Sequence, residues 1–69
     1  MSKITLKVNG KIHDCEGETL LLKLLTQLEF NPRLIAVEYN GEILQRQNWE
    51  KTTLKEGDRI EVVTIVGGG

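Results

Sequence analysis

The chain has 69 residues, of which 39% are hydrophobic, and nine basic and ten acidic side chains give a net charge of −1. The sequence has no basic patch with interleaved aromatic residues, the pattern that would indicate nucleic-acid binding. No apolar run approaches the roughly 20 residues that a membrane helix needs. With no signal-peptide pattern and a single cysteine, we expect one small cytoplasmic domain that is monomeric when free and binds neither nucleic acid nor membrane.

The first segment predicts a β-hairpin. Residues 3–8 alternate between polar and apolar side chains, as a half-buried strand does. Asn9-Gly10, a strong hairpin signal, follows, and the return strand runs to Cys15. A two-residue turn would place the apolar side chains of the first strand on one face with Cys15. A three-residue turn with a bulge would instead place Leu6 opposite Ile12, and we favour this version because it keeps Ile12 inside.

The second segment predicts the main helix. Thr19 is a suitable N-cap, and the carboxylate of Glu18 would lie near the positive end of the helix dipole. Pro32 cannot continue a helix. Leu22 lies off the apolar stripe, and we expect it to be exposed. The stripe that faces the core has helical spacing and consists of Leu21, Leu24, Leu25 and Leu28.

Three further strands and two turns follow the helix. We predict strands at 34–39, 42–44 and 59–66, a second hairpin turn at Asn40-Gly41, and a turn over 45–49 that anchors the ring of Trp49. A hairpin, one helix and then strands is the order of an α+β fold. We therefore predict a mixed sheet of four to five strands with one main helix packed across one face.

Groups suited to catalysis are few. We interpret His13, the single histidine, as a solvated strand residue, and Cys15, the single cysteine, as a buried one. No cysteine or histidine lies at metal-ligand spacing from either, and no glycine-rich loop leads into a helix. The sequence therefore predicts a protein on which enzymes act, with no catalytic residue and no metal site of its own.

Three glycines end the chain. Glycine has no Cβ, so Gly67, Gly68 and Gly69 form a narrow tail that is costly to order. Such a tail suits a terminal carboxylate that must enter a tight channel, and three extended residues reach about 10 Å. We therefore divide the chain into a domain, 1–66, and a tail, 67–69. The alternative is an inert chain end.

Together these features resemble one family. Within the ubiquitin-like β-grasp superfamily, the chain is similar to the sulfur carrier proteins of thiamin biosynthesis over essentially its whole length. The third glycine departs from the family's terminal pair, Gly68-Gly69, and only lengthens the tail. The elements that carry the resemblance are Asn9-Gly10, Gly17-Glu18-Thr19, residues 36–44, Arg46-x-x-Trp49, Gly57-Asp58-x-Ile60 and residues 66–69.

The resemblance implies a function in sulfur transfer. A partner enzyme would use ATP and Mg²⁺ to adenylate the carboxylate of Gly69, and a persulfide donor would then convert it to a thiocarboxylate. Thiazole synthase would accept that sulfur, and the carrier itself would bind no cofactor. The alternatives are a ubiquitin-like modifier joined to protein lysines, a carrier for molybdopterin or another sulfur-requiring pathway, and an interaction module with inert glycines.

The last strand suggests a partner-binding surface. Its alternation places Ile60, Val62 and Thr64 on one face and Val63 and Ile65 on the other. Since one helix covers one face of a sheet, we predict that Val63, Ile65 and the adjoining Val66 bind partners. The alternative is ordinary scattered surface hydrophobicity. For Arg46 and Trp49 we favour a structural turn in which Trp49 caps the core.

Overall fold

The computed structural model describes residues 3–65, which form a five-stranded mixed sheet with one helix across one face. The sheet order is β2-β1-β5-β3-β4, in which β1 and β5 are parallel and the other neighbours antiparallel. This arrangement confirms the predicted α+β class. The elements are β1 (Lys3–Val8), β2 (Lys11–Glu16), α1 (Leu21–Gln27), a first 3₁₀ helix (Pro32–Leu34), β3 (Ile35–Tyr39), β4 (Glu42–Ile43), a second 3₁₀ helix (Arg46–Lys51) and β5 (Arg59–Thr64).

The first hairpin has a two-residue turn, so the predicted bulge is wrong. Val8 pairs with Lys11, and Asn9 and Gly10 have φ values of 53° and 82°, both positive as a type I′ turn requires. Ile12 consequently lies on the face away from the helix and is 68% exposed. The side chain of Asn9 explains the choice, because its Oδ1 accepts a 2.7 Å hydrogen bond from the backbone N–H of Val62 in β5.

The helix begins differently from the prediction. Thr19 does not cap it: its hydroxyl donates to the Glu16 carbonyl at 2.7 Å, and Leu20 holds the N-cap position without a side-chain cap. The backbone N–H of Leu21 instead donates to the Thr52 carbonyl at 2.8 Å. A distant segment thus satisfies a backbone donor at the start of the helix, a role that sequence reasoning gave to a local cap.

The leucine stripe packs as predicted, and the helix ends early. Leu28 is half-buried at its end, and Leu22, expected to be exposed, is half-buried against the core. The last helical residue is Gln27, well before Pro32, which begins the first 3₁₀ helix. The buried apolar side chains are Leu6, Val8, Leu21, Leu24, Leu25, Ile35, Val37, Trp49, Leu54, Ile60 and Val62.

The last strand lies in the middle of the sheet. β5 pairs with β1 on one side and with β3 on the other, and beyond Thr64 the N–H of Ile65 still donates to the Leu34 carbonyl at 2.6 Å. The chain therefore leaves the sheet beside the start of β3. Val66 and the three glycines lie outside the described residues, so the division between 1–66 and 67–69 stays a prediction.

Candidate functional site

The two faces of β5 differ as its alternation predicts. Ile60 and Val62 are 0% and 7% exposed on the helix-covered face. Val63 and Ile65 are 59% and 51% exposed on the opposite face, which we call the open face. The residues predicted to bind partners are therefore accessible within residues 3–65, while Val66 lies beyond them.

Exposed apolar side chains gather where β5 ends. Val63 pairs with Ala36 across the β3–β5 ladder, and Ile65 adjoins Leu34, which is itself half exposed. We call Leu34, Ala36, Val63 and Ile65 the open-face patch. Contiguous apolar side chains without cover favour an interaction site over random scatter. The patch directly precedes the tail in sequence.

Arg46 and Trp49 lie in the second 3₁₀ helix and line one groove together with Ala36 of the patch. Trp49 is 2% exposed, and its indole N–H donates to the Leu44 carbonyl at 3.0 Å. The ring is thus fixed both by packing and by a hydrogen bond, which confirms its expected place in the core. The guanidinium carbon of Arg46 lies 5.8 Å from the ring centroid, within range of a cation–π contact.

A polar cluster around Asp58 was missed by sequence reasoning. Asp58 is only 7% exposed, and its carboxylate accepts hydrogen bonds from the Tyr39 hydroxyl, from the Asn40 side chain at 3.2 Å and from the Lys55 N–H at 2.8 Å. Burial, and then the bond to Asp58, raise the pKa of Tyr39 to about 12. The cluster fastens the second hairpin turn to the start of β5.

The side chains of this cluster lie in two separate motifs of the sequence. Asn40 holds a positive φ of 52° and its Oδ1 accepts the Arg59 N–H at 2.8 Å, so this residue serves both turn and neighbouring strand. Tyr39-Asn40-Gly41 and Gly57-Asp58 are therefore parts of one structural unit. Their separation in sequence concealed the contact.

The two reactive side chains of β2 are apart from the open-face patch. His13 is half-buried opposite Leu6, so it is less solvated than expected. Cys15 is half-buried opposite Ile4, and burial raises the pKa of its thiol, which disfavours the nucleophilic thiolate. Within the described part of the chain, no cluster of three or more histidine, cysteine or acidic side chains could hold a metal ion.

Between Lys3 and Ile65, no helix has the length and apolar character that crossing a lipid bilayer would require.

Comparison with known proteins identifies the family. The model of the ThiS family matches residues 6–69, which is nearly the whole chain. The chain is similar to a crystal structure of the thiamine biosynthesis protein ThiS from Geobacter metallireducens, with a TM-score of 0.82 and 36% identity over 96% of this chain and all of that one. The chain belongs to the ThiS family, whose members are sulfur carriers of thiamine biosynthesis with a β-grasp fold.

Individual relatives are similar over most of the chain. The sulfur carrier protein ThiS of Bacillus subtilis is 32% identical over 93% of this chain and 98% of its own length. The uncharacterised protein ycf40 of Trieres chinensis is 42% identical over 94% of this chain and 89% of its own length. A thiazole synthase of Magnetococcus marinus is 42% identical over 90% of this chain, which corresponds to 19% of that longer protein.

Proposed function

We propose that this protein carries sulfur as a thiocarboxylate on Gly69 and delivers it to thiazole synthase. The observation that carries the proposal is the family match, which extends through the final glycines to residue 69. The similarity to the B. subtilis sulfur carrier over nearly both full lengths supports the same conclusion. The chain acts as a substrate and carrier, and its partners do the catalysis.

The chemistry proceeds in three steps. An oxygen of the Gly69 carboxylate attacks the α-phosphorus of ATP and displaces pyrophosphate, which gives an acyl adenylate. The outer sulfur of a donor persulfide attacks the acyl carbon and displaces AMP. A thiol of the donor then attacks the donor's own sulfur in the resulting acyl disulfide. The transferred sulfur remains on Gly69, and the two donor sulfurs form a new disulfide. ATP and Mg²⁺ belong to the activating enzyme, and this chain binds no cofactor of its own.

The tail and the open-face patch have separate roles in the proposal. Gly67 and Gly68 let the carboxylate enter a narrow active-site channel, because they add no Cβ to the extended backbone. Val63, Ile65 and Val66 bind the partner's surface beside that channel. The exposure of Val63 and Ile65 supports this division, since Val63 lies near the end of β5 and Ile65 directly after it, just before the tail in sequence.

Thiazole synthase is the proposed acceptor. A thiazole synthase of M. marinus includes a stretch similar to 90% of this chain, although the chain covers only 19% of that protein. Similarity between a carrier and part of the enzyme's own chain favours a functional pairing of the two. We place the reaction in the cytoplasm with a free, monomeric carrier.

Intact-mass analysis of the protein recovered from cells tests the proposal. We expect a fraction of the chain to be heavier by the difference between one sulfur and one oxygen, with the change located at Gly69. A covalent link from Gly69 to a lysine of another protein would instead identify a ubiquitin-like modifier. An unmodified chain in thiamin-starved cells would contradict both.

A variant with one alanine appended after Gly69 provides the control. The reacting carboxylate then lies one residue further out and on a residue with a Cβ, so adenylation should be lost while the melting temperature is unchanged. Adenylation at the normal rate would contradict the proposed channel.

A further inference from the structure

One edge of the sheet is only half paired. β4 pairs with β3 at just two positions, Glu38 with Ile43 and Tyr39 with Glu42, and one more bond joins the Leu44 N–H to the Val37 carbonyl. The chain then turns away into the second 3₁₀ helix. Within residues 3–65, the first half of β3 therefore has a neighbouring strand on its β5 side only.

A groove follows this free half-edge. Its volume is about 270 Å³, and its walls are residues 35–37 of β3, residues 43–46 and the side of Trp49. This is smaller than the roughly 300–1,000 Å³ of a typical small-molecule pocket. It suits one or two side chains of an extended peptide better than a metabolite.

Arg46 gives the groove a positive charge. Among the lining residues between Lys3 and Ile65 it is the only ionisable one, and its guanidinium is positioned over the ring of Trp49. The hydrogen bond from the Trp49 indole to Leu44 fixes the ring, so the cation rests on a preformed wall. A planar guanidinium at the rim of an apolar groove is suited to a carboxylate.

We propose that this groove binds an extended segment of a partner protein that presents an apolar side chain and a carboxylate. The segment adds a strand beside Ile35 and Ala36, where β3 has no neighbour on its β4 side, its apolar side chain fills the groove, and its carboxylate pairs with Arg46. A second copy of the chain fits less well, because a two-fold contact through this edge would bring two grooves together that are each lined by Arg46 and by no acidic residue between Lys3 and Ile65. The proposal is independent of the chemistry at Gly69.

A peptide titration followed by amide chemical shifts tests the proposal. The probe is an acetylated valine-isoleucine-valine-aspartate-glycine amide, and the control peptide has asparagine in place of aspartate. We expect the aspartate peptide to shift the amides of Ile35, Ala36 and Val37 and the indole N–H of Trp49, and to slow exchange of the Ile35 amide. No shift at these positions with millimolar peptide overturns the proposal.

Charge variants give the sharper comparison. Arg46→Gln should weaken binding of the aspartate peptide about fivefold, as expected for an ion pair near the surface, and leave the asparagine peptide unaffected. Arg46→Lys should recover part of the loss. Arg33→Gln, at an exposed position outside the groove, is the matched control, and an equal loss in both arginine variants would overturn the role of Arg46.

Other occupants give distinct results without peptide. Shifts in the groove that depend on protein concentration would identify a second copy. Shifts that appear on removal of residues 66–69 would identify the chain's own end. Either result overturns the proposal. For each arginine variant and for the shortened chain, well-dispersed amide signals show that the protein is folded.

Discussion

The helix-covered and open faces of the sheet both contain apolar side chains, which are buried on the first face and exposed to solvent on the second. On β5, Ile60 and Val62 have almost no solvent contact, whereas Val63 on the same strand and Ile65 just beyond it are more than half exposed. Apolar side chains therefore occur on both faces, and the position of α1 decides which of them are buried. Burial makes the covered side responsible for stability, while the open side is available for binding.

The polar groups divide in the same way. On the covered side, at the edge of the core, Asp58 is buried and fully engaged by Tyr39, Asn40 and Lys55. The charged residues of the open face, such as Arg59 and Glu61, are exposed. Substitutions on the two sides should consequently differ greatly in their effect on folding, and four predictions test this contrast.

The largest effect is expected for Leu24→Lys. Leu24 is 3% exposed in the leucine stripe, so the variant must bury an ammonium group or expose the core. We expect a loss of more than about 4 kcal/mol, which is enough to unfold a domain of this size. Circular dichroism during thermal unfolding measures it, and a cooperative transition near that of the wild type would contradict the assigned core.

Asp58→Ala should have the next largest effect. The change removes the acceptor of the Asn40 amide and the Lys55 N–H and leaves the Tyr39 hydroxyl with only the 3.5 Å contact to the Thr53 carbonyl, at a cost of about 2–3 kcal/mol. Glu61→Ala on the open face is the control and should change stability by less than about 0.5 kcal/mol. Urea unfolding compares the two, and equal midpoints would show that the cluster contributes nothing to stability.

Alkaline pH should weaken the covered side through Tyr39. Its pKa is raised from 10 to about 12, so the folded protein retains a phenolic proton that the unfolded chain has lost. Stability from this group is complete below pH 10 and decreases as the pH rises toward 12. Tyr39 is the only tyrosine, so tyrosinate absorbance reports it directly. Tyr39→Phe should flatten the loss of stability, and an unchanged slope would contradict the assignment.

Val63→Lys should have the smallest effect on folding. The side chain is 59% exposed, so a lysine remains solvated and stability should change by less than about 0.5 kcal/mol. Binding to the activating enzyme should nevertheless weaken about tenfold or more, because the charge would enter a desolvated contact. Calorimetric titration beside a melting curve measures both. Undiminished binding would place the docking surface elsewhere, around Arg46 for example.

Periodicity predicted the fold, but the exact pairings depended on distant contacts. The alternation of β5 and the leucine spacing of α1 are local patterns, and both faces follow from them. The turn at Asn9-Gly10 was misjudged because its side chain bonds to Val62, 53 residues away. Thr19 failed as a cap for a similar reason, since the carbonyl of Thr52 already satisfies the N–H of Leu21.

The candidate site was predictable in part. The strand alternation identified Val63 and Ile65 as exposed. It could do so because the opposite face of the strand is buried, so alternate residues must point away from the core. The groove beside Ile35 was not predictable, because it results from the short length of β4, which was expected to extend to Leu44. The Asp58 cluster joins two turns that are separate in sequence, so no local pattern could reveal it.

The central position of β5 has a mechanical consequence. A partner that draws the tail into its active-site channel pulls on β5 along the strand axis. This force is nearly perpendicular to the hydrogen bonds that join β5 to β1 and β3. Bonds loaded in this way are sheared together, whereas those of an edge strand pulled sideways break one after another. The strand that leads into the tail is therefore the one best placed to transmit force without unravelling the domain.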